Sequence, residues 1–112
     1  MLKKIDGYTF VCELRNTRSG FAHDCTLYED CSEIAKVSCH YLNRTWESYR
    51  YQTVMYKAVR EAIDDLEKRY LAGFKAQNGY NKMTAKRKDD FEKFLNTKEN
   101  YRRLKNLYLA LH

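Results

Sequence analysis

The 112-residue sequence has no proline and only four glycines, and those stand in turns or alone. No glycine-rich loop is therefore available to cradle a phosphate, and no low-complexity linker or internal repeat divides the chain. Long apolar runs are missing too: nothing approaches the roughly 18 residues that cross a bilayer. Met1–Asp6 (MLKKID) places no apolar stretch behind its lysines, as a secretory leader would. A membrane partner is not expected, and the expected compartment is the cytoplasm, where cysteines stay reduced. Cys12, Cys25, Cys31 and Cys39 fit neither a C-x-x-C pair nor a zinc-ribbon spacing. H-E-x-x-H, G-x-S-x-G, zinc-finger and RNA-recognition RNP patterns are all lacking. No metal or cofactor is expected.

What is present describes a folded chain. The hydrophobic fraction is 44%, ordinary for a globular protein and too high for wholesale disorder. The length allows one domain, taken as residues 1–112. Aromatics reach 14%, ten of them Tyr, and 21 basic against 15 acidic residues leave a net charge of +6. Such a balance suits an anionic partner or an acidic protein surface, although solvated domains also carry it.

Periodicity divides the chain into three parts. Residues 1–42 read as a β-meander of three strands. Tyr8–Arg15 alternates with Tyr8, Phe10, Cys12 and Leu14 on one face, and Asn16–Gly20 has turn composition. Phe21–Tyr28 aligns Phe21, His23, Cys25 and Leu27; Ile34–Leu42 aligns Ala35, Val37, Cys39 and Tyr41. Residues 43–79 read as one long helix, capped by Thr45 and stopped at Asn78-Gly79. At about 100° per residue, Tyr51, Met55, Ala58, Val59, Ala62, Leu66 and Tyr70 form a stripe suited to covering the sheet. Residues 83–112 give one or two further helices, with Thr84 as cap and a break expected near Asn96, where Asn96-Thr97 can cap a new start. Lys98 takes the one slot where an apolar residue is missing. The expected fold is α+β: a three-stranded antiparallel sheet, a long helix, then one or two C-terminal helices.

Catalytic chemistry finds little support. His23 and Cys25, two apart on a strand, share a face, but Cys12, Cys25 and Cys39 read as small core hydrophobes. Metal ligation by His23, Cys12 and Cys25 is the alternative use of that face. Asp64-Asp65 and Asp89-Asp90 are neighbours on helices, so each pair splays rather than converges. The chain is not expected to be an enzyme.

Binding finds more. Trp46, Tyr49, Thr53, Tyr56 and Arg60 cluster roughly opposite the core stripe, with Arg50 and Lys57 bordering them. Either the C-terminal helices cover this face, or part of it stays open for docking, since Trp, Tyr and Arg are the residues most enriched at interface hot spots. The candidate partner-binding set is Arg44, Trp46, Tyr49, Arg50, Lys57 and Arg60. Charge offers a second set. Residues 82–112 hold nine Lys/Arg and four Asp/Glu, while residues 1–42 hold five and six. Lys86, Arg87, Lys88, Lys93, Arg102, Arg103 and Lys105 are thus candidates for contacts to nucleic-acid phosphates.

The segment Asn43-Arg44-Thr45-Trp46-Glu47-Ser48-Tyr49-Arg50-Tyr51-Gln52-Thr53-Val54 resembles an "NRTWE-x-Y-x-Y-x-x-V" strand-to-helix signature of small phage and mobile-element proteins. Some proteins of that setting are anti-CRISPR inhibitors. The resemblance implies a stoichiometric blocker whose partner is a host protein or ribonucleoprotein complex such as a CRISPR effector nuclease. Many nuclease inhibitors mimic DNA with acidic surface; this chain is basic, so gripping a protein surface or an effector's nucleic acid is the expected mode.

Overall fold

The computed structural model describes residues 1–41, 51–78 and 84–111. Four strands come first: β1 (Leu2–Ile5), β2 (Tyr8–Asn16), β3 (Phe21–Glu29) and β4 (Ser32–Tyr41). Three helices follow: α1 (Gln52–Asn78), α2 (Ala85–Asn96) and α3 (Glu99–Ala110). The strands form one antiparallel sheet in the order β1-β2-β3-β4. The α+β class is as expected, but the sheet has four strands rather than three.

The additional strand follows from a two-residue turn. Ile5 pairs with Tyr8, and Asp6 and Gly7 between them take φ of 48° and 83°. Two consecutive positive φ angles suit the right-handed twist of the flanking strands, and Asp-Gly is a preferred sequence for such hairpin turns. β1 is short and charged, with Lys3 and Lys4 facing solvent, which blunts it as a sheet edge.

The alternation inferred for the sheet holds over most of its length. Tyr8, Phe10, Cys12, Phe21, His23, Cys25, Leu27, Ala35 and Val37 are buried. Cys39 and Tyr41 are half-buried, and Leu14 is the exposed member at 41%. It lies near the β2–β3 hairpin tip, which Thr17 closes by donating to the Gly20 carbonyl.

Helix α1 lies chiefly against β4 and β3 on one side and against α3 and α2 on another. It consequently buries a wider band than the expected stripe, adding Val54, Ile63 and Phe74 to Met55, Ala58, Val59, Ala62 and Leu66. Tyr51 and Tyr70 are half-buried at its margins. The anticipated Thr45 cap falls outside the described residues.

The C-terminal region is two helices, broken after Asn96 as expected. Thr84 caps α2, its hydroxyl accepting from the Arg87 N–H. Thr97 departs from expectation: its hydroxyl donates to the Phe94 carbonyl, so it closes α2 instead of opening α3. Lys98 takes the α3 N-cap position without a side-chain cap and lays its ammonium 4.7 Å from the Phe94 ring centroid and 5.7 Å from that of Tyr70. The "missing" apolar slot is therefore a cation over two rings, its stem covering apolar surface. Leu95, Tyr101, Leu104, Leu107 and Leu111 join the sheet and α1 in one continuous core. Each fully buried side chain of this size contributes roughly 1.5–3 kcal/mol.

Candidate interaction surface

On the inward face of the sheet, His23 is fully buried. Its ring stacks on Tyr51 at 4.8 Å and meets Tyr41 and Phe21 at 5.6 and 5.5 Å. Cys12 and Cys25 pair directly across β2 and β3, with their sulfurs 3.5 Å apart. Contact with the Cys12 sulfur, and then burial, push the Cys25 thiol up, the opposite of what a nucleophile needs. All four cysteines are free thiols, with Cys31 exposed and Cys39 half-buried. Among the described residues no group of three His, Cys, Asp or Glu side chains is placed to hold a metal ion.

The outward face of the sheet carries none of the residues of the main core cluster, although Ala22 on it is fully buried. Its cross-strand rows follow from the register: Leu2–Val11–Thr26–Lys36, Lys4–Thr9–Tyr28–Glu33, Glu13–Asp24–Ser38 and Arg15–Ala22–His40. Asp24 is the hub. Its carboxylate accepts from Arg15 Nε at 3.0 Å and from the Ser38 hydroxyl, and the Arg15 contact foremost holds it below the usual carboxylate range. Three basic side chains (Lys4, Arg15, Lys36) face three acidic ones (Glu13, Asp24, Glu33) on this surface, so it has no net attraction for phosphate.

The helical candidates divide. Of the partner-binding set, Arg44, Trp46, Tyr49 and Arg50 lie outside the described residues. Lys57 is on α1 and donates from Nζ to the Ser38 carbonyl at 2.6 Å. Arg60 is exposed and pairs with Asp64 one turn on, at 3.5 Å. The neighbouring Tyr56 is covered, since α3 brings Tyr108 edge-on to it at 5.3 Å. Part of the aromatic face is therefore core.

Of the nucleic-acid set, Lys86, Lys88, Lys93 and Arg102 are exposed, while Arg87, Arg103 and Lys105 are half-buried. Arg103 turns inward across the β1–β2 turn. It bonds Glu29 Oε1 at 3.2 Å and the Asp6 carbonyl at 3.3 Å, with its guanidinium 5.1 Å from the Tyr8 ring centroid. Lys105 lies over Tyr101 at 5.3 Å. Tyr101, whose hydroxyl donates to Glu67 at 3.0 Å, has its phenol pushed up to about 12 by burial and then by that carboxylate.

Two tertiary roles had no signal in local pattern: Lys57 on a β4 carbonyl, and Arg103 on a carboxylate 74 positions away. Hollows lie against these elements among the described residues, and three of them are lined as follows. The first, of 420 Å³, is lined by Met1, Lys3, Ile5, Met55 and Leu111 among others, between the β1 edge and two helix ends. The others are lined by Glu33, Ile34, Asp65, Lys68 and Arg69, and by α1–α2–α3 residues around Phe91 and Tyr101. None of the three linings contains a His or Cys. No helix is long and apolar enough to cross a membrane among the described residues. Comparison with protein-family models, with curated proteins and with solved structures finds no match.

Proposed function

We propose that this protein acts by binding a macromolecular partner and not by catalysis: a non-enzymatic interaction protein of phage or mobile-element type that inhibits a host defence nuclease complex, a CRISPR effector foremost. The observation that carries the reading is the division of charge. The outward sheet face bears both signs, and the half-buried Arg103 is engaged by Glu29 and the Asp6 carbonyl. What remains is a mixed surface, suited to a protein or ribonucleoprotein partner whose own charges alternate. The Asn43–Val54 resemblance supports the same class. Within it, Trp46, Tyr49, Arg44 and Arg50 supply the aromatic and guanidinium groups that dominate interface energetics, and exposed Arg60 continues that set onto α1.

The test is binding of the full-length protein to immobilised, reconstituted CRISPR effector ribonucleoproteins of several types. Saturable binding that Trp46→Ala abolishes while the circular dichroism spectrum stays native supports the reading. Equal binding by the variant contradicts the interface assignment.

A second reading, a nucleic-acid-binding accessory protein, is favoured by the exposure of Lys86, Lys88, Lys93 and Arg102. Fluorescence anisotropy with short DNA and structured RNA over a salt series separates the two. A steep salt slope that Lys86→Glu and Arg102→Glu flatten supports nucleic acid; flat traces at low salt remove it.

A further inference from the structure

Cys12 and Cys25 occupy a special site in the ladder. Both backbone polar groups of Cys12 are directed to the first residue of the chain: its N–H donates to the Met1 carbonyl at 2.8 Å, and its carbonyl accepts from the Met1 ammonium at 2.7 Å. Neither group is left for β3, so the pairing of Cys12 with Cys25 is a non-hydrogen-bonded one. Such pairs bring the two Cα atoms to about 4.5 Å and their side chains closest, which falls within the roughly 4.4–6.8 Å span that a disulfide bridges. Both side chains lie on the inward face, both are fully buried, and their sulfurs already touch at 3.5 Å. What separates contact from bonding is a closure of the sulfurs from 3.5 Å to about 2 Å and the loss of two protons and two electrons to an oxidant.

From this geometry we infer that Cys12 and Cys25 form a dithiol–disulfide couple, a modification site that an oxidant of the small-molecule disulfide class closes into a cross-strand staple between β2 and β3. The chemistry balances by exchange. One protein thiolate attacks the oxidant disulfide, forming a mixed disulfide and releasing one thiol; the second protein thiolate attacks the mixed disulfide at the protein sulfur, releasing the other. Two protein thiols and one oxidant disulfide become one protein disulfide and two small thiols. Cys39 is the competitor, since it follows on β4 beside His23. Yet it is diagonal to Cys25, whereas Cys12 is directly opposite, and diagonal neighbours are separated by roughly 7–8 Å. Because both sulfurs are enclosed, exchange proceeds through local opening or during folding, and is slow in the closed protein. Once made, the bond links positions 13 apart and restricts the unfolded chain, so the oxidised form resists unfolding better than the reduced one.

The experiment refolds the full-length protein from denaturant in buffers of falling glutathione to glutathione-disulfide ratio. Thiols are quenched with acid, alkylated with N-ethylmaleimide after unfolding, and mapped by mass spectrometry with fragmentation. Expected is a product in which Cys12 and Cys25 disappear from the alkylated pool together, in one transition, joined to each other and bearing no glutathione. Its thermal midpoint is above that of the reduced protein. In Cys25→Ser the linked product is lost and Cys12 remains alkylatable. Three results overturn the inference: a Cys25–Cys39 link in its place, glutathione adducts without closure, or both thiols alkylated at every ratio. Should Cys25→Ser fail to fold, Cys12→Ala serves the same purpose, and fragment mapping of the native sequence decides the pairing without any variant.

Discussion

The two faces of the sheet are made by the same strands and follow different rules. Inward, the alternating residues of β2 from Tyr8 to Leu14, of β3 from Phe21 to Leu27 and of β4 from Ala35 to Tyr41 are apolar, aromatic or a cysteine, and all from Tyr8 to Val37 but Leu14 are buried beneath the helices. Outward, the intervening residues form mixed-charge rows held by exposed contacts such as Arg15–Asp24. A group turned inward is enclosed and must be partnered, so its removal is felt by the whole fold. One turned outward exchanges a protein contact for water at little loss. The same contrast recurs between adjacent residues of α3, where Arg102 is exposed and Arg103 closes over the β1–β2 turn.

The largest break in this contrast comes from the core. Phe10→Ala removes a fully buried ring and should cost about 3–5 kcal/mol in denaturant unfolding. Thr9→Ala, its outward neighbour, should be nearly silent. Next is Tyr101. Its folded phenol titrates at about 12 against 10.0 unfolded, so above pH 10 the unfolded chain loses the proton first. Stability from this group is complete below pH 10 and falls as pH rises towards 12, by at most about 1.4 kcal/mol per pH unit. Tyr101→Phe removes that dependence, so the stability gap between it and the native protein should narrow over this window.

Third, Arg103→Ala leaves Glu29 and the Asp6 carbonyl without their donor and uncovers Tyr8; about 1–2 kcal/mol is expected. Arg102→Ala should leave the midpoint unchanged within error. Equal effects for the two arginines would dissolve the distinction drawn between them. The smallest effect belongs to Arg15→Ala: its exposed pair with Asp24 should leave the midpoint within error too, and the change should shrink further in high salt.

Much of this arrangement was legible in the sequence, and the failures have physical causes. Period-two alternation placed β2, β3 and β4, because one covered face imposes it on each strand separately. Thr84 announced α2, and the interruption around Asn96–Lys98 announced its end. β1 escaped because Leu2 and Ile5 fall on opposite faces and lysines lie between them, leaving no alternation to read. The Asp6-Gly7 pair between Ile5 and Tyr8 was the usable signal. Among the candidate sites, residue types were legible but their use was not. Arg103 and Arg102 look alike in a run of basic residues, and only the approach of α3 to the first hairpin separates them. Cys12 and Cys25 were assigned to the same face; that they stand opposite each other depends on the register set by the tip closed between Thr17 and Gly20.

The central claim, inhibition by binding, is tested most directly by titrating the protein into DNA-cleavage reactions run by purified CRISPR effector complexes of each available type, beside Trp46→Ala. The account predicts that with one effector type cleavage falls linearly to an end point at a fixed protein-to-effector ratio, that substrate concentration does not move that ratio, and that Trp46→Ala has no end point. Undiminished cleavage by every effector type at large molar excess would contradict it.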